Sequence, residues 1–74
     1  MGIKNIEFDA EQGNIEALIK LGRIYLVGIG VEPDYKKAHN YFVKAVKAGS
    51  AEGYSYLAYT YANGLGVEQN YGKV

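Results

Sequence analysis

Very few side chains in this sequence could do covalent or acid–base chemistry. His39 is the single histidine and there is no cysteine, which excludes a thiol nucleophile, a disulfide framework and a thiolate metal site. A lone imidazole needs a nucleophile or a second titratable group in the same cleft. Asp34 and Asn40 are near His39 in sequence but point other ways on a helix, and the only serines, Ser50 and Ser55, fall at a helix cap and on a helix surface. No catalytic residue, metal or cofactor is expected. Gly28-Ile29-Gly30 has the look of a phosphate loop, but a dinucleotide fingerprint needs a third glycine after a strand, in a βαβ unit. Pro33 stands where that glycine belongs, and a helical pattern precedes it. Glu7, Asp9 and Glu11 read as one solvated helix face.

The element that must position everything else is a repeat. Leu21-Gly22-Arg23-Ile24-Tyr25-Leu26-Val27-Gly28-Ile29-Gly30-Val31-Glu32 returns 36 positions later as Leu57-Ala58-Tyr59-Thr60-Tyr61-Ala62-Asn63-Gly64-Leu65-Gly66-Val67-Glu68. Six of those twelve positions are identical, and from Gly13 against Gly49 to the end there are ten identities in 26. They fall at glycines and at helix-face positions, where turn geometry and packing restrict the residue type. Self-similarity at this period is the mark of a helical repeat array.

Residues 3–12 are expected to form a short first helix ended by Gly13, which suits a left-handed C-terminal turn. Asn14 is the N-cap of a helix at about 14–27, with Glu16 in its first turn. Ile15, Leu18, Leu21, Gly22 and Tyr25 recur at three and four, an amphipathic spacing. Gly22 on that face predicts the close approach of a neighbour, since a mid-helix glycine otherwise costs about 1 kcal/mol against alanine. Gly28 and Gly30 make the reversal and Asp34 caps the next helix, at about 34–48, whose inner face is Tyr35, Ala38, Tyr41, Phe42, Ala45 and Val46. Gly49 and Ser50 restart the pattern, with Tyr54, Leu57, Ala58 and Tyr61 as the expected inward stripe. Asn70 and Tyr71 then open a further helix that reaches only one turn by Val74.

The domain reading is therefore one fragment of an array. Residues 1–12 are the second helix of a preceding repeat, 13–48 a complete repeat and 49–74 a partial one. A helix pair of this kind cannot bury its own faces, so an apolar surface is expected around Tyr54, Leu57, Tyr61 and Leu65. Self-association through that terminal helix is one way to cover it; rearrangement of the tail, or residues beyond this sequence, are others. Eight basic and eight acidic residues balance, so nothing suggests a nucleic-acid surface, which needs a clustered basic excess. No apolar run reaches the roughly 18 residues of a membrane span, and no signal-peptide core is visible, so neither targeting nor membrane insertion is read here.

Leu21-Gly22, Tyr25, Gly28-Ile29-Gly30-Val31, Asp34-Tyr35-Lys36-Lys37-Ala38 and Ala48-Gly49, with Leu57, Tyr61, Gly64-Leu65-Gly66-Val67, Asn70 and Lys73 in the second copy, resemble the Sel-one-like repeat family, relatives of the tetratricopeptide repeats. Gly53, Ala58 and Val74 depart from the pattern by small-for-small or mild apolar changes. The resemblance implies an all-α fold of antiparallel helix pairs in a tetratricopeptide-like α-solenoid, with about four helices here. It also implies a non-enzymatic adaptor that holds a peptide or protein partner. A structural spacer is the alternative, as is a hydrolase of cell-wall material, a chemistry linked to some members.

By analogy with tetratricopeptide solenoids, the concave groove is lined by Ile19, Arg23, Leu26, Ser55, Tyr59 and Asn63. Arg and Tyr dominate binding energy at many interfaces, so Arg23 and Tyr59 are the expected anchors, with Asn63 bonding a peptide backbone. Of the eight tyrosines, Tyr25, Tyr61, Tyr41 and Tyr54 are expected in the core and Tyr35 and Tyr71 under the glycine loops. Tyr56 and Tyr59 are expected off the inward stripe.

Overall fold

The computed structural model describes residues 3–64. Four helices follow one another: α1 (Ile3–Glu11), α2 (Ile15–Val27), α3 (Tyr35–Lys47) and α4 (Ala51–Ala62). Each packs on its sequence neighbour, α1 on α2, α2 on α3 and α3 on α4. The all-α repeat architecture expected from the 36-residue period is what the chain forms. The Cα envelope is 41 × 27 × 15 Å, thin enough that every helix keeps a solvent face.

The two short reversals are built alike, 36 residues apart. Gly49 takes φ +100°, a region that costs any residue with a Cβ. Its N–H donates to Val46 O (2.9 Å), and the Ser50 N–H to Ala45 O (3.0 Å), closing α3. Ser50 Oγ then accepts from the Gly53 N–H (2.9 Å), opening α4. Gly13 and Asn14 repeat the arrangement, with bonds to Ala10 O (2.9 Å) and Asp9 O (3.2 Å) and the Asn14 cap on the Ala17 N–H (3.0 Å). One residue thus ends one helix and begins the next, satisfying backbone groups that a helix end leaves open.

The longer turn is closed differently. Gly28 is left-handed, and the N–H groups of Gly28 and Ile29 both donate to Ile24 O (2.8 and 3.0 Å). The Asp34 N–H reaches back to Tyr25 O (2.9 Å), and Asp34 Oδ1 caps α3 at the Lys37 N–H (3.1 Å). A Cβ at Gly28 would lie 2.8 Å from the Pro33 ring, so glycine and proline there form one fitted pair.

At the centre, Leu21, Ala38, Phe42 and Ala45 are wholly buried. The Phe42 ring lies on Gly22: a Cβ there would sit 2.3 Å from Cε1. The close approach predicted at Gly22 is thus made by an aromatic ring from α3. Tyr56 of α4 stacks on the same ring, with centroids 4.8 Å apart, so three helices meet at Phe42. Gly53 lets α4 come close to α3, since its Cβ would be 2.9 Å from that of Ala45. Tyr25 stacks on Tyr41 at 6.0 Å, beneath the Lys37 ammonium (4.9 Å from the Tyr25 ring).

The inward stripe of α4 differs from the expected one. It is Gly53, Tyr56, Leu57 and Thr60 that face α3, while Tyr54 is 65% exposed and Tyr61 46%. Tyr56 therefore replaces Tyr54 as the packed tyrosine. The reason lies in the repeat: Tyr54, Ala58 and Tyr61 align with Leu18, Gly22 and Tyr25, the side of α2 buried with α3 in place. Among the described residues no helix takes that role for α4. Tyr54 and Tyr61 keep exposed surface, Leu57 is half-buried against the core, and Leu65 lies outside the described residues. Tyr35, expected under the glycine loop, is 42% exposed.

Thr60 stands where α2 has Ile24, and it is wholly buried. Its hydroxyl donates to Leu57 O (2.7 Å), so its oxygen accepts from His39 Nδ1–H across the helix interface (3.1 Å). The His39 ring also meets the Tyr61 ring edge-on, at 5.1 Å.

Gly22→Ala would stabilise a solvent-facing helix by about 1 kcal/mol; here overpacking against Phe42 reverses the sign, with an expected loss of about 1–3 kcal/mol. A chemical melt followed by circular dichroism decides it, and a stabilised variant would refute the ring contact. Burial holds the His39 pKa below its ordinary value of 6.5. The unfolded chain then takes up this proton at a higher pH than the folded one, so stability falls as pH drops below about 6.5 and is flat with respect to His39 above it. Melts at pH 8, 6 and 5 should show the fall, and His39→Gln, which keeps an N–H for Thr60, should lessen it.

Candidate protein-binding groove

An open groove of about 390 Å³ runs between the C-terminal turn of α2 and the middle of α4. Leu26 and Val27 form one wall, Ser55 and Tyr59 the other, Tyr35 closes the end from the first turn of α3, and Tyr56 lies between. Among the described residues the lining carries no formal charge. Val27 is 63% exposed and Tyr59 51%, so both can be covered further by an incoming chain. Tyr56 is held flat by its stack on Phe42, which makes the groove's base part of the core.

The expected site residues separate into four groups. Leu26, Ser55 and Tyr59 line this groove. Arg23 is exposed on the preceding turn of α2, beside a second recess of about 280 Å³ that it shares with Lys20, Ile24 and Ile29. It makes no cation–ring contact with Tyr59; among the described residues the cations over rings are Lys37 on Tyr25 and Lys44 on Tyr41. Asn63 is exposed at the end of α4, and one of its two side-chain N–H donors is given to Tyr59 O (2.9 Å), leaving the other N–H and the amide oxygen for a ligand.

Ile19 is corrected. It is 6% exposed, and its Cδ1 would lie 3.3 Å from a Cβ on Gly53. The missing side chain at Gly53 draws α4 towards α2, and Ile19 fills the seam between them. It belongs to the core under the groove and not to its surface.

Val27, Tyr35 and Tyr56 are groove residues that the helix-by-helix reading missed. A signal was present for two of them. The turn from Gly28 to Asp34 brings its own flanking residues together, and those are Val27 and Tyr35. For Tyr56 the signal was absent, because its placement depends on which face of α4 meets α3.

Lysine, tyrosine and carboxylate also meet between α1 and α3. Tyr41 has its pKa raised by burial and then by the nearby charges of Glu7, Tyr25 and Glu11, while the Lys44 ammonium lies 5.7 Å from its ring. Among the described residues no group of three or more His, Cys, Asp or Glu side chains is placed to hold a metal ion, and no helix is long and apolar enough to cross a membrane.

Comparison with known proteins agrees with this architecture. The family model described as Sel1 repeat matches residues 15–50 and 51–73. Among curated proteins, the chain is 41% identical over 62 residues to the ERAD-associated E3 ubiquitin-protein ligase component HRD3A of Arabidopsis thaliana. It has the same identity over the same length to Protein sel-1 homolog 2 of Rattus norvegicus. Each alignment covers 82% of this chain and 9% of the relative. HRD3B of Arabidopsis thaliana is 39% identical over 70 residues, 92% of this chain and 10% of that protein. The chain thus spans about a tenth of the length of these relatives, and no solved structure gives a significant match. With the repeat model matching 59 of its 74 residues in two successive copies, the chain belongs to the Sel1 repeat family.

Proposed function

We propose that this chain is a non-enzymatic protein-interaction module that takes a peptide or protein segment across the surface between α2 and α4. The observation that carries this is the uncharged groove of about 390 Å³, with exposed Val27 and Tyr59 over a base held by the Phe42–Tyr56 stack. Apolar and aromatic residues on a rigid support are what an interface anchor needs, because little side-chain freedom is lost on binding. Arg23, Leu26, Ser55 and Tyr59 are the proposed contacts, with Asn63 offering its amide oxygen. HRD3A is by name a component of a ligase, which suits a role in assembly. The single imidazole is engaged with Thr60 and Tyr61, which favours a packing role for it over catalysis.

A spacer between domains would carry the same helices without using the groove. Affinity capture from source-cell lysate, with Arg23→Ala/Tyr59→Ala run in parallel at equal helicity, separates the two. A binding module retains a partner that the variant loses by a factor of about 30, the effect of removing an anchor worth about 2 kcal/mol. Equal recovery by both would move the site elsewhere, and no recovery by either would favour the spacer.

A second reading concerns the other side of α4. We also propose that the chain self-associates there, since Tyr54 is the most exposed large apolar residue of the helix and aligns with the buried Leu18 of α2. Light scattering on dilution to low micromolar should show an assembly that Tyr54→Lys dissociates. A wild-type chain that stays monomeric at every concentration would refute it.

A further inference from the structure

The groove is apolar, but the turn of α2 that leads into it is cationic. Lys20, Arg23 and Val27 lie at three- and four-residue spacing on one exposed stripe of α2, with Val27 in the groove wall and Arg23 and Lys20 at the neighbouring recess. Neither cation is in an ion pair among the described residues. For Arg23 no carboxylate is in reach on its own helix: positions 19, 20, 26 and 27 are Ile, Lys, Leu and Val. Lys20 shares a recess with Asp9 and Glu16 without closing a bridge to either, so Arg23 is the cation left to meet a partner. The guanidinium offers five N–H donors in a plane that matches a carboxylate, and here it stands within a turn of an uncharged trough.

We infer that the partner of this surface is an extended peptide carrying an acidic side chain two positions from a bulky apolar one. The inference rests on the groove reading above and adds the partner's chemistry to it. The spacing comes from the helix. Four residues from Arg23 to Val27 advance about 6 Å at 1.5 Å each. An extended peptide presents alternate side chains on one face, about 6.6 Å apart at 3.3 Å per residue. An Asp or Glu at one position then meets Arg23 while the side chain two along enters between Leu26 and Tyr59. The neutral lining rejects a charge in the trough, where it would lose hydration without a partner, and Lys20 with Arg23 repels a basic residue at the outer position.

The test uses the full 74-residue chain and a phage-displayed library of random nonapeptides, followed by fluorescence anisotropy of the selected sequence. Selection on the wild type should enrich Asp or Glu two positions from Leu, Ile, Met or Phe. The acid-to-amide version of the selected peptide should bind about fivefold more weakly, the size of an exposed ion pair, and the difference should shrink with added salt. Lys20→Glu/Arg23→Glu should exchange the acidic preference for Lys or Arg while keeping the apolar one. Enrichment of apolar residues with no charge preference would overturn this inference and leave the groove reading standing. Enrichment of basic residues by the wild type would overturn it as well. No enrichment by a chain with the expected helicity would overturn both.

Discussion

The contact between the Phe42 ring and Gly22 is the constraint on which the rest of this fold depends. A ring can enter that space only because α2 has no Cβ there, and glycine in a helix interior is otherwise unfavourable. Dispersion and apolar burial compensate, and the geometry is then propagated. With the ring fixed, Tyr56 stacks on it, which sets the rotation of α4 about its own axis. That rotation puts Gly53 over Ala45 and Ile19 and Thr60 within reach of His39. The groove wall on α4 is a consequence of the same alignment, since Ser55 and Tyr59 flank Tyr56 on the helix surface. A small chain with a thin core leaves few alternatives if this seat is lost.

The parts legible in the sequence are those governed by local physics. Asn14, Asp34 and Ser50 cap the helices the sequence assigns to them, because an N-cap is decided by a side chain and the N–H three residues on. Glycine at 13, 28 and 49 adopts the positive φ that its turn needs. What was not legible depends on which neighbour covers a helix. The Tyr54, Leu57, Ala58, Tyr61 stripe is a correct copy of the α2 pattern, but α2 is packed on two sides and α4 on one among the described residues. Tyr56 consequently exchanged places with Tyr54. Ile19 was misplaced for a related reason: it sits beside the core stripe of its own helix, and only Gly53 on another helix decides that this flank is covered.

The buried polar pair at the α3–α4 interface shows how a repeat tolerates drift. Ile24 and Thr60 occupy equivalent positions, one apolar and one not. Burying a hydroxyl without partners would cost a few kcal/mol, yet Thr60 both donates and accepts a hydrogen bond. The donation to Leu57 O is available to any helical threonine. The acceptance from His39 ties α4 to α3 by a directional contact where the apolar version offers only packing. Among the described residues no buried side-chain polar atom is left unsatisfied.

The two kinds of turn differ in how tightly they fix the length of the chain. At Gly13-Asn14 and Gly49-Ser50 a single residue closes one helix and caps the next, so an added residue would uncouple two sets of backbone bonds at once. Between Gly28 and Asp34 the work is shared among separate residues, and Ile29 and Gly30 stand exposed in the span. Variation in repeat length, when such a unit is duplicated, should therefore accumulate on one rim of the array only. That rim is the one beside Val27 and Tyr35, so changes in loop size would reshape the end of the groove while the stacking of successive repeats stays in register.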